Sequence, residues 1–225
     1  MKKIILLVLF ISILSAKYSS AQTTFSIKTG INLSTLAVKE ADFEVDNSSI
    51  IGIPIGISAD IKFYKSLYLQ PSVYLSNKGY KSSNFGFGND FKAKVSYLEL
   101  PVNFIYKHDI KSNNLIVGLG AYMGLGLNGK WSTANDVLID DINIGKKGDI
   151  KFQNDALYNN YGNYIYGKSW DYGITALIGY ELRKKYLIQV NTSNGLRNLT
   201  PNWGYFIPDT KQFNRTMGLT IGYIF

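Results

Sequence analysis

The chain of 225 residues carries 24 Lys and Arg against 16 Asp and Glu, a formal charge of +8, with 46% hydrophobic and 14% aromatic residues, 21 glycines, one histidine and no cysteine. That length suits one folded domain or two small ones, and the hydrophobic share excludes a disordered chain; the missing cysteines exclude disulfides, thiol nucleophiles, Cys-ligated zinc or iron–sulfur centres and an acylated lipobox. A single histidine excludes metal centres that need two or three imidazoles and leaves Ser-His-Asp chemistry one candidate, so composition leans against an enzyme.

Residues 1–21 read as a cleaved secretory signal. Lys2 and Lys3 precede the apolar run Ile4 to Leu14, and Ser19-Ser20-Ala21 supply the small residues a signal peptidase reads. The apolar run is too short for the roughly 20 helical residues that cross a bilayer. The remaining residues, 22–225, are expected to form one exported domain.

In that domain apolar residues recur at every second position, which is strand periodicity. The first run sets Phe25, Ile27, Ile31 and Leu33 against Ser26, Lys28, Gly30 and Asn32. The second runs unbroken from Ile51 to Phe63, opposing Ile53, Ile55 and Ile57 to Pro54, Gly56, Ser58 and Asp60. Leu67, Leu69, Val73 and Leu75 form the third, and Leu98, Leu100, Val102, Phe104 and Tyr106 the fourth, opposite Tyr97, Glu99, Pro101 and Asn103. The fifth, Leu115 to Leu127, opposes Leu, Val, Ala and Met to a face of Gly118, Gly120, Tyr122, Gly124 and Gly126. Trp170 to Leu182, Tyr186 to Val190 and Phe213 to Phe225 complete about eight strands of the length a tilted membrane strand needs.

The links alternate too. Short ones fall at Tyr64–Ser66, Lys107–Asn113 and Arg183–Lys185; long ones at Thr35–Ile50, Asn77–Lys94, Gly129–Ser169 and Leu196–Gln212. An even, antiparallel meander puts all short links at one end, which is the layout of an outer-membrane barrel. The polar face is Gly, Ser, Thr, Asn and Tyr with few charges. It suits a tight lumen better than a water-facing surface. Phe25, Phe63, Tyr106, Tyr180, Tyr186, Tyr223 and Phe225 share outward parity at the short-link end, as Trp170, Tyr172 and Phe213 do at the other, giving two interfacial girdles. The predicted fold is therefore all-β: an eight-stranded antiparallel up-and-down transmembrane β-barrel in the outer membrane, surrounded by lipid, with a filled lumen.

Several short motifs carry a family resemblance. Ser26-Ile27-Lys28-Thr29-Gly30-Ile31-Asn32-Leu33-Ser34, then Leu69-Gln70-Pro71 with Lys78-Gly79-Tyr80, then Tyr97-Leu98-Glu99-Leu100-Pro101, Gly195-Leu196 and the final Gly222-Tyr223-Ile224-Phe225 stand in order along the chain. In these the chain resembles the PorT-like outer-membrane β-barrel family of Bacteroidetes. The resemblance implies an outer-membrane barrel whose last strand the barrel-assembly machinery recognises; only the family's namesake is tied to type IX secretion.

Each chemistry-bearing residue also has a bland role open to it. His108 beside Asp109 could form a catalytic dyad, but a solvated turn is expected there. The string Gly118, Gly120, Gly124, Gly126 lies on one face of a strand, so lumen packing is expected rather than nucleotide binding or helix pairing. Asp136, Asp140, Asp141 and Asp149 match no calcium loop. Tyr158, Tyr161, Tyr164, Tyr166 and Trp170, interleaved with Asn and Gly, have the only binding character, suited to a glycan or protein partner at 129–169; the bland and favoured reading puts Trp170 and Tyr166 in the outer girdle and packs the rest down on the barrel mouth. Lys62, Lys65, Lys107, Lys111, Arg183, Lys184 and Lys185 gather at the short-link end, where snorkelling to anionic lipid is expected and nucleic acid is not. Parity places Lys28, Asp60, Glu99, Asp171 and Glu181 in the lumen, with Lys28 expected to pair with Glu99 or another of these acids. No catalytic, cofactor or metal residue is assigned. The expected role is that of a monomeric structural or interaction barrel; a membrane-embedded hydrolase or acyltransferase and a small-solute channel are the alternatives.

Overall fold

A computed structural model describes residues 23–39, 47–85, 88–139, 142–152, 154, 164–202 and 209–225. The expected signal segment lies outside them. In chain order the strands are β1 (Thr23–Lys39), β2 (Asn47–Gly52), β3 (Ile55–Tyr64), β4 (Leu67–Phe85), β5 (Gly88–Ile110), β6 (Asn113–Ile139), β7 (Ile142–Phe152), β8 (Tyr164–Gly167), β9 (Trp170–Leu182), β10 (Tyr186–Gly195) and β11 (Lys211–Ile224). β1 pairs with β3, β3 with β4, β4 with β5, β5 with β6, β6 with β9, β9 with β10 and β10 with β11, all antiparallel. Pairing of β11 back to β1, from Ser26 opposite Ile224 to Lys39 opposite Lys211, closes the ring. Closure leaves the belt no unpaired edge, which a sheet in hydrocarbon could not leave open.

The second apolar run is not one strand but two. β2 and β3 form a single stave interrupted at Ile53-Pro54, because Pro54 has no N–H to give to a ladder. The Thr29 hydroxyl donates to the Pro54 carbonyl at 3.0 Å, so that oxygen is still satisfied.

The side-chain parity holds throughout the belt. Ile27, Ile57, Phe104, Leu119, Ile178, Ile188 and Ile221 are exposed outward, while Ser26, Ser58, Asn103, Tyr122, Leu177, Gln189 and Thr220 are buried inside. Phe25, Phe63, Tyr106, Tyr180, Tyr186, Tyr223 and Phe225 are exposed at the short-turn end, with Tyr223 edge-on to both Tyr186 and Phe225. Trp170 and Tyr172 are exposed at the other end, while Phe213 is half-buried.

Two expected long links are instead strand. β4 and β5 run on through Asn77–Lys94 to Phe85 and Gly88, and β6 continues to Ile139 before β7 returns beside it. β8 then pairs parallel to β7. This raised sheet stands beyond the lipid belt because its apolar residues face inward: Tyr80, Phe91, Ala93, Trp131 and Ile150 pack together, with Leu36, Val95 and Phe152 against them. A bulge at the belt's upper edge, where Ser96 pairs with Asn128 but Tyr97 with Gly126, shifts β6 by one residue and turns Trp131 inward. The short link at 107–113 is likewise shorter than expected, a two-residue turn at Lys111-Ser112.

Candidate functional site

The lumen is the most densely built polar region. Near the short-turn end the Lys107 ammonium lies 2.6 Å from Asp60 Oδ2 and 2.6 Å from Glu181 Oε1. Gln70 donates to the second Asp60 oxygen at 2.7 Å, Asn114 donates to the second Glu181 oxygen at 2.6 Å, and the Tyr68 ring lies 4.8 Å from the ammonium. The partners come from five strands, with Tyr68 and Gln70 both on β4, because inward parity on β3, β4, β5, β6 and β9 aims them at one axis. Two carboxylates sharing one cation, each with a further donor, satisfy the condition under which buried charge is tolerated.

Lys107 therefore does not snorkel to lipid, as its position beside His108 suggests; β5 continues past it and inward parity carries it into the lumen. Lys65, Lys111, Arg183, Lys184 and Lys185 are exposed at the turns as expected. Lys62 is half-buried over the Tyr68 ring at 6.0 Å.

Above this cluster Ile105, Ile116, Leu177 and Leu187 form an apolar layer with Tyr68 against it. Gly118 opens the space for it, since a Cβ there would strike the Ile105 side chain. Next comes a cavity of about 90 Å³ lined by Asn32, Ser72, Asn103, Gln189 and Thr216 among others. Gly120 lies beside it, where a Cβ would run into the Val102 carbonyl.

The upper cluster centres on Lys78. Its ammonium is 2.5 Å from Glu99 Oε1 and 3.8 Å from Asp171 Oδ2, over the rings of Tyr122 at 4.5 Å and Tyr97 at 5.4 Å. Ser76 donates to Glu99, and Tyr122 and Asn214 both donate to Asp171 Oδ2, at 2.9 and 2.8 Å. The expected pairing of Lys28 with Glu99 is thereby overturned, because Lys78, one strand away on β4, takes that carboxylate. Lys28 is instead buried beside Asp60, Glu181 and Lys107, and its ammonium makes no hydrogen bond among the described residues. The apolar pattern alone puts Lys78 in the 77–94 link; the continuation of β4 puts it in the lumen.

His108 and Asp109 do not form a dyad. His108 is exposed and stacks on Tyr106, and Asp109 pairs with Lys184 at 3.2 Å. The four glycines of β6 line the lumen as expected. Asp136 and Asp149 are exposed, Asp140 and Asp141 lie outside the described residues, and no group of three metal-ligating side chains occurs among the described residues. Tyr158 and Tyr161 also lie outside them, Tyr164 and Tyr166 belong to β8, and Trp170 is exposed on the belt.

The closed ring, with apolar residues outward and charge inward, agrees with a family model, the outer membrane protein beta-barrel domain, which matches residues 20–201. The chain belongs to that family and is an outer-membrane protein. Among solved structures it is similar to Ail of Yersinia pestis, at 15% identity and a TM-score of 0.44 over 90% of this chain and 98% of that one. It is similar also to OprG of Pseudomonas aeruginosa, at 12% identity and a TM-score of 0.45 over 91% and 97% of the two chains. Neisserial surface protein A is a third, at 13% identity and a TM-score of 0.42 over 88% and 96%. No curated protein matches the chain.

Proposed function

We propose that this barrel is a monomeric, non-conducting scaffold that presents its raised sheet and the 129–169 region to a protein or glycan partner outside the cell. The observation that carries the reading is the blocked lumen. Two ion clusters, an apolar layer and the inward aromatic cap stand in series along the axis, so among the described residues the large surfaces left for a function face outward. A secretion-linked role is the sharper form of the same reading and rests on the PorT resemblance alone. The chemistry of His108 gives a hydrolase or acyltransferase nothing to build on, since Asp109 is held by Lys184 instead.

A photo-crosslinking residue at exposed Asn135, beside the β6–β7 connection, tests the reading in cells. A discrete crosslinked protein or glycan species, absent when the crosslinker sits at exposed Lys111 on the opposite end, is expected. Crosslinks to lipid alone would refute the partner. Planar-bilayer recording tests the closed lumen, and stepwise single-channel conductance would refute it.

A further inference from the structure

The outer face of the raised sheet is as unusual as its core. Lys81, Lys92, Lys94, Lys130 and Lys147 are all exposed there. Strand register sets Lys81 directly opposite Lys92 and Lys94 directly opposite Lys130, while Lys147 opposes Ser132 on the row that holds Lys92. Like charges directly opposite across a ladder destabilise it. None of the five lies in an ion pair among the described residues, where the pairs are those of Lys78, Lys107 and Lys184. Asp149 opposes Lys130 in register yet makes no such pair.

The height of this patch limits what can neutralise it. Leu75 and Leu98, in register across β4 and β5, and exposed Leu127 on β6 mark the top of the outward apolar belt. Lys94 precedes Leu98 by four residues, about 13 Å along a strand, and strand tilt brings that nearer the membrane surface. A lysine stem adds further reach downward. The zone just above hydrocarbon is the head-group layer, which surrounds the barrel wall on every side.

We infer that this face binds the phosphate groups of outer-leaflet lipid, with each cross-strand lysine pair converging on one phosphate. Facing ammonium groups that repel one another in the free barrel then become a two-armed anion clamp. The inference rests on the outer-membrane location and not on the partner proposed above, so either can fail alone.

The test uses the full mature chain refolded into phosphatidylcholine nanodiscs doped with bisphosphorylated or dephosphorylated lipid A, with retained lipid counted by native mass spectrometry. The wild-type barrel should retain the phosphorylated form in preference by at least about tenfold, the least expected of several lysines near a charged surface. The K81Q/K92Q/K94Q/K130Q variant should lose that preference, and K65Q/K111Q/K185Q at the opposite end should keep it. K81E/K94E guards against misfolding, because it replaces both repulsive pairs by cross-strand ion pairs, keeps Lys130 opposite Asp149 and removes the clamp; it should fold at least as well and also lose the preference. Equal retention by wild type and either clamp variant overturns the inference. So does a wild type that shows no lipid preference, whether or not it binds soluble dextran sulfate through the same lysines.

Discussion

The same strands are built inside out in their two halves. Within the belt β5 turns Val102 and Phe104 outward and Asn103 and Lys107 inward; above it the strand turns Lys92 and Lys94 outward and Phe91 and Ala93 inward. The ladder between β4 and β5 is continuous across the change, so on these strands the environment alone dictates which face is apolar, while β6 reaches the same inversion through its bulge. One half is held by lipid outside and ion pairs within; the other is a small water-facing sheet with an ordinary apolar core. The two should therefore break differently.

The largest effect is expected from Lys107→Met, which strands Asp60 and Glu181 without their shared cation. A loss of about 3–5 kcal/mol is expected for an uncompensated buried charge, read from urea unfolding of the refolded barrel. Adding Glu181→Gln should restore part of the loss; a strictly additive double variant would mean that the two do not act together. Trp131→Ala removes the centre of the upper core, where its ring stacks on Phe91 at 6.3 Å. A comparable local loss of about 3 kcal/mol is expected there, seen as rapid protease cleavage within residues 80–150 while the urea midpoint of the belt stays put. Joint unfolding would show that the halves are one cooperative unit.

Smaller effects sharpen the contrast within the lumen. Gly120→Ala should cost about 1–3 kcal/mol by pushing a methyl into the Val102 carbonyl. Gly124→Ala, whose new methyl would meet nothing nearer than Tyr97 at 3.4 Å, should be nearly neutral. Equal midpoints for the two would deny that the lumen is packed as described. Least of all, Lys111→Gly should stabilise the barrel by up to about 1 kcal/mol, since Lys111 occupies a left-handed conformation at φ 58°.

How much of this was legible in the sequence follows from the same inversion. Period-two alternation with an apolar outer face revealed the eight staves, their order, the girdles and the inward parity of Lys28, Asp60, Glu99, Asp171 and Glu181. It failed where the apolar face switched sides, so residues 77–94 and 129–152 looked like loops and Lys78 was lost with them. Lys107 was misplaced for a related reason. A cation near a turn resembles a lipid-facing one until the strand is known to continue past it. Pairing across a ring depends on register between distant strands, which no local pattern encodes; hence the acids were found and their partners were not.

Because the chain has no cysteine, single cysteines along β6 can carry a spin label, and oxygen accessibility in liposomes reads which face meets lipid. Labels at Val117, Leu119, Ala121 and Met123 should collide freely with dissolved oxygen, and labels at Gly118, Gly120 and Tyr122 should be shielded. A reversed alternation, or none, would contradict the barrel described.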